Sequence, residues 1–336
     1  MKTLLIFTLG LFVTSGVAQA QTPGLVVGSG NYFSPIVADL DKAVAFYRDG
    51  LGFEMQGAPA NADGNAPLRA MFGLPDARLR WLIGRAAPIP GGVEIVEVSG
   101  ANGKPVTRRV QDSGAITLVA TVRDLDATFA RLKKLGAPVV TRSGAPVKLS
   151  VGRMVVVQDP AGHFVEIVQP DTLTDAQKAA ATNVVGVRVR FTVADVESSL
   201  RLYRDTLGFK ATGTAAEYRN EPAVLDVLGL SGGQYRVGAL EVPGSGLQFT
   251  LIDFKGVDRQ TIRAGIADPG STRIQLRVAD IDAAIAAVSK AGGAFVSTGG
   301  KPVDLPAGQG TLKAGIVRDP DNLFIVLIQA PPAAPR

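Results

Sequence analysis

From residue 188 to 193 polar and apolar residues alternate one by one, the period of a strand whose two faces meet different surroundings. Asp195 follows where a helix N-cap belongs, with a side chain able to accept a backbone N–H. Val196, Leu200, Tyr203 and Leu207 then recur at helical spacing and form one apolar stripe, which Gly208 closes as a C-cap. Residues 124–135, with Gly136 behind them, repeat this order. Segments rich in strand-forming residues, such as 93–98 and 249–254, follow each helix. Asp159-Pro160-Ala161-Gly162 and Asp319-Pro320-Asp321-Asn322 read as turns before last strands. The pattern predicts units of the form β-α-β-β-β.

These units recur. Val37-Ala38-Asp39 returns as Val193-Ala194-Asp195, Tyr47-Arg48-Asp49 as Tyr203-Arg204-Asp205, and Leu51-Gly52-Phe53 as Leu207-Gly208-Phe209, each 156 residues on. The register holds through Gly136 with Gly292 and slips to 160 only at Asp159-Pro160 with Asp319-Pro320. The chain is therefore a duplication. A weaker echo 85 residues on, Asp39 with Asp124 and Asp195 with Asp280, divides each half again and gives four modules. Expected boundaries are domain one at 21–170, a polar, Ala-rich linker at 171–183 with a helical option, and domain two at 184–330.

Composition narrows the class. Charged residues make up 19% and hydrophobic ones 46%, which suits packed domains rather than disorder. The net charge of +5 is spread without a basic run, so a nucleic-acid partner is not expected. Lys2, an apolar run at 4–13 and Ala18-Gln19-Ala20 form an export signal at 1–20, with cleavage expected after Ala20. The mature chain is expected to be periplasmic or secreted and free of a membrane span. The absence of cysteine removes disulfides, thiolate metal sites and cysteine nucleophiles.

The segments "VADLDKAVAFYRDGLGFEM", "VRDLDATFARLKKLGAP" and "QDPAGHFVEIVQP", with their second copies, resemble the vicinal oxygen chelate superfamily, the glyoxalase, bleomycin-resistance and dioxygenase-like proteins. The resemblance covers roughly residues 31–330. It implies an α+β fold of two tandem domains, each of two paired βαβββ modules curving as a barrel-like sheet around a cavity. It also implies a small-molecule ligand and, in many members, a divalent metal that polarises vicinal oxygens of a substrate during lyase, isomerase or dioxygenase chemistry. Other members bind a compound without metal chemistry.

Carried over by position, the expected site of domain one is Tyr32, Glu94 (or Glu97), Thr117 and Glu166. That of domain two is Arg188, Thr250, Arg273 and Val326. The imidazoles usual in such sites are missing. Glu94 and Glu166 suit a hard cation such as magnesium or manganese, or an acid/base pair with Tyr32, or else ion pairs with arginine. Arg188 and Arg273, with Arg190, Gln275 and Arg277 on the same strand faces, suit a carboxylate or phosphate, or else internal ion pairs. His163, the single histidine, sits in a turn and reads as a surface or packing residue. The expected function is small-molecule binding, with metal-dependent activity in domain one or, alternatively, metal-free capture with an anion site in domain two. A monomer or homodimer is expected.

Overall fold

The computed structural model describes residues 24–86, 89–213, 217–307 and 310–331, so the expected export signal lies outside the described residues. Module one holds β1 (Val26–Ser29), β2 (Ser34–Val37), α1 (Leu40–Ala45), β3 (Glu54–Met55), β4 (Ala60–Asn61), α2 (Ala66–Met71), β5 (Arg78–Arg85) and β6 (Val93–Ser99). Module two holds β7 (Ile116–Val122), α3 (Leu125–Lys134), β8 (Val147–Leu149), β9 (Gly152–Gln158) and β10 (Phe164–Pro170). The one-turn helix α4 (Asp175–Ala179), closed by a Thr174/Gln177 capping box, follows. Module three holds β11 (Val184–Thr192), α5 (Val196–Leu200), β12 (Lys210–Ala211), α6 (Pro222–Val227), β13 (Gln234–Glu241) and β14 (Gln248–Lys255). Module four holds β15 (Thr272–Val278), α7 (Ile281–Lys290), β16 (Ala294–Phe295), β17 (Val303–Ala307), β18 (Gly310–Arg318) and β19 (Phe324–Gln329).

The repeated aspartates do what their spacing predicts. Asp39, Asp124, Asp195 and Asp280 are the N-caps of α1, α3, α5 and α7, accepting from the amides of Lys42, Ala127, Ser198 and Ala283. The apolar stripe behind Asp39 and Asp195 is not a plain α-helix. Both α1 and α5 run into a π-helical turn, at Phe46–Leu51 and Arg201–Thr206. Glycine ends the second of these for two reasons. Gly208 has φ +86°, and a Cβ there would stand 2.4 Å from the Cα of Gly24.

Among the described residues the strands form two curved, open sheets and no closed barrel. Sheet one runs β16-β18-β19-β15-β2-β6-β5-β3, and sheet two runs β12-β13-β14-β11-β7-β10-β9-β8. Each sheet therefore takes one module from each half: one with four, and two with three. The expectation that the modules within a half pair with each other is corrected here. The linker is short, and β11 turns back antiparallel along the whole of β7, from Val184 opposite Val122 to Phe191 opposite Ile116. Module three thereby takes the edge of β7. The matching seam in sheet one is brief, only Thr272 opposite Pro35 and Arg273 opposite Ser34, because Pro35 has no N–H to extend the ladder. β1 continues the seam by pairing with the end of β15.

One core cluster draws on both sheets and on α1, α3, α5 and α7, with Leu40, Leu132, Val196 and Val288 among its members. Alternate residues point the other way. There α6 and α2 each cover a separate apolar cluster, over sheet two and sheet one respectively. The candidate sites lie on these two faces.

Candidate ligand-binding site

Sheet two carries a cavity of about 780 Å³ between its strands, α6 and the β8–β9 hairpin. Its walls are mainly apolar, with Met154, Val224, Val227, Leu228, Val237 and Ile252 among them. The floor is charged. Arg190 of β11 stands opposite Thr117 of β7 and beside Thr250 of β14 in the ladders. Glu166 of β10 lies one step along, level with Val119.

Glu166 accepts a close charged hydrogen bond from Arg190 Nη1, and Arg188 Nη2 lies 3.6 Å from its other oxygen. Burial opposes the charge on Glu166. The Arg190 and Arg188 guanidinium groups outweigh it and hold the carboxyl below its ordinary range. Arg190 is only 8% exposed, and its Nε and Nη2 donors have no partner. These two N–H groups share one edge of the guanidinium plane, the edge that binds a carboxylate bidentately. The lining holds Lys148, Arg188, Arg190 and Arg219 against Glu166 and Glu221. Its net charge invites an anion.

The matching face of sheet one is built from Ser34, Glu94, Arg273 and Gln275. One Glu94 oxygen accepts from Gln275 Nε2 at 2.9 Å, from Ser34 Oγ at 3.2 Å and from Arg273 Nη2 at 3.3 Å. Arg273 is fully buried, burial depresses its pKa, and Nε and Nη1 lack partners. The ring of Phe72, just past α2, covers it at 4.3 Å from the guanidinium carbon. This centre is sealed where its counterpart is open.

The expected site residues are thus redistributed. Glu94 and Glu166 stand in different sheets, so the pair expected to share a metal or act as acid and base does not form. The physical reason is the pairing of modules across halves. Arg188 does meet Glu166, Thr117 and Thr250 flank Arg190 in the neighbouring strands, and Arg273 meets Glu94. Tyr32 is no part of either group. It is 1% exposed in the main core, its hydroxyl has no partner, and burial raises its pKa. The strand position that faces Glu94 is Ser34, two residues later. The same step separates Arg188 from the more tightly held Arg190. Val326 lies in the apolar cluster over sheet one.

A divalent metal finds no fitting donor set. Glu166 and Glu94 are already engaged by guanidinium groups, and Glu221, the other carboxylate lining the cavity of sheet two, accepts from the Tyr235 hydroxyl. Among the described residues no three His, Cys, Asp or Glu side chains gather to hold an ion. His163 is a packing residue, fully buried beside Phe33. Its Nδ1 lies 2.9 Å from Asp159 and its Nε2 donates to the Ser271 carbonyl, also at 2.9 Å, which ties sheet two to the start of β15. Tyr47 donates to the same Asp159 at 2.9 Å. The Ser271 partner of His163 is not legible in the sequence, because the two residues are 108 apart along the chain.

The profile of the glyoxalase/bleomycin resistance protein/dioxygenase superfamily matches residues 31–167 and 187–327. Glyoxalase I from Zea mays superposes with a TM-score of 0.58 at 17% identity, covering 90% of this chain and 92% of that one. A putative dioxygenase from Bacillus subtilis subsp. subtilis strain 168 superposes with a TM-score of 0.54 at 14% identity, covering 92% of this chain and 87% of that one. No match was found among curated proteins.

Proposed function

We propose that this chain, which belongs to the glyoxalase/bleomycin resistance protein/dioxygenase superfamily, binds a small organic anion with an apolar body in the cavity of sheet two, without a metal ion. The observation that carries this reading is the free Nε/Nη2 edge of buried Arg190 in the floor of a largely apolar cavity. A buried guanidinium with unmade bonds is costly, and a ligand carboxylate completes it. The apolar walls supply affinity for the ligand's body. Glu166 does not compete for this role. Arginine holds it ionised, so it neither delivers a proton near neutrality nor offers a free carboxylate to a cation. Its task is to fix the orientation of Arg190.

The signal at 1–20 supports an exported protein acting in the periplasm or outside the cell. N-terminal sequencing of the mature protein is expected to begin at Gln21; a chain that retains Met1 in the cytoplasm contradicts export.

Thermal denaturation with matched ligand pairs tests the binding reading. Aromatic and branched aliphatic carboxylic acids are expected to raise the melting temperature, while their uncharged amides are not. Arg190→Met is expected to weaken the best acid about 10- to 100-fold, the loss of one or two charged hydrogen bonds. Equal shifts with acids and amides contradict the proposal.

A further inference from the structure

Beyond the cavity of sheet two, we propose a second and chemically different site, for a small hydrophilic oxyanion of the phosphate class, at the open end of sheet one. On β15 the residues Arg273, Gln275 and Arg277 follow each other on one face by the period of two. The first is sealed beneath Phe72. Gln275 stands as a partition, its amide nitrogen on Glu94 and its oxygen accepting the backbone N–H of Asn31 at 3.1 Å. Beyond it Arg277 opens into a cavity of about 450 Å³.

That cavity is built where the two sheets meet. Its lining joins Arg85 at the end of β5, Arg277, the β1 segment with Ser29 and Asn31, and Ser245 from the turn between β13 and β14. The turn packs on β1 so closely that a Cβ on Gly244 would lie 2.4 Å from the Val27 carbonyl oxygen. Two guanidinium groups from opposite halves of the chain therefore line one space, and among the described residues no carboxylate lines it with them. Among the described residues neither arginine has an ion-pair partner; Arg85 spends one N–H on the Gly91 carbonyl at 3.2 Å. Like charges gathered without a counter-charge repel, and an anion between them reverses the sign of the interaction. The Ser29 hydroxyl and the Asn31 amide offer further donors, and a wall in which polar groups balance the apolar Val27, Ile83 and Pro90 disfavours the ligand of the largely apolar cavity of sheet two.

Inorganic phosphate titrated calorimetrically into the full mature chain, at constant ionic strength, tests this site. One saturable equivalent is expected. Arg85→Gln and Arg277→Gln are each expected to weaken it at least about tenfold and the double variant to remove it, whereas Arg190→Met leaves it unchanged. Both arginines reach solvent, so the variants are expected to melt as the parent does. Non-saturable phosphate binding, or full binding by the double variant, overturns the site. Loss of phosphate binding in Arg190→Met alone overturns its independence from the cavity of sheet two.

Discussion

Duplication provides internal controls at the scale of single residues. Tyr47–Asp159 in the first half of the chain recurs as Tyr203–Asp319 in the second, with hydrogen bonds of 2.9 and 2.7 Å. Their neighbours differ. His163 stands against Asp159, whereas Leu323 occupies the corresponding place beside Asp319, which has Asp321 near it instead. Burial pushes Asp159 up, but the His163 imidazole and the hydrogen bonds around it hold its carboxyl below the ordinary value. Burial and the Asp321 charge push Asp319 up to about 7. Between 3.8 and about 7 the folded chain keeps a proton that the unfolded chain has released. Asp319 therefore subtracts stability progressively as pH rises through that window. Asp319→Asn is expected to flatten this part of the melting-temperature profile; an unchanged slope between pH 5 and 8 contradicts the assignment. His163→Leu recreates the Asp319 setting at Asp159. Urea denaturation is expected to show a loss of about 3 kcal/mol, the cost of stranding a buried charge, and an unchanged midpoint would contradict it. None of this was legible in the turn motif, because the deciding partners, Tyr47 and the Ser271 carbonyl, come from distant parts of the chain.

At the scale of elements, α2 and α6 are two copies of one lid with opposite outcomes. Phe72 follows α2 and covers Arg273; Leu228, 156 residues later, follows α6 and borders an open cavity. Below them Thr117 stands at the place corresponding to Arg273. The smaller pair leaves space and the larger pair fills it. Leu228→Phe is accordingly expected to weaken ligand binding in sheet two by tenfold or more without loss of fold stability, read by calorimetry beside a melting curve. Undiminished affinity would mean that α6 does not border the occupied space. The helices with aspartate caps were plain in the sequence, since cap and apolar stripe are local signals. The lid helices were not foreseen: each has six residues, too few to show a period, and only Met71 of α2 is buried. Ser34 and Arg190 were displaced by two for a related reason. The family spacing from the capping aspartate names a strand, while the neighbour across the ladder decides which residue on it meets the carboxylate.

At the scale of the whole molecule, the duplicated halves are not the folding units of the cavities. Repeats, order of elements and family were readable because they depend on spacing along the chain. Which modules pair depends on which strand edge is covered first, and no local pattern carries that information. Each cavity thus requires both halves. Residues 24–170 and 184–331 produced separately are expected to lack ligand binding and to regain it on mixing, as judged by gel filtration and titration; a half that binds by itself contradicts the cross-paired architecture. The central claim is that sheet two binds an anion through arginine, with Glu166 as a positioning group rather than a metal ligand or acid/base catalyst. Its most direct test is calorimetric titration of the best carboxylate ligand into Glu166→Gln in the presence of EDTA. The account predicts that affinity is kept or increased, because a negative charge has left the floor while Arg190 remains. Loss of binding in that variant, restored in the parent by a divalent metal, would contradict it.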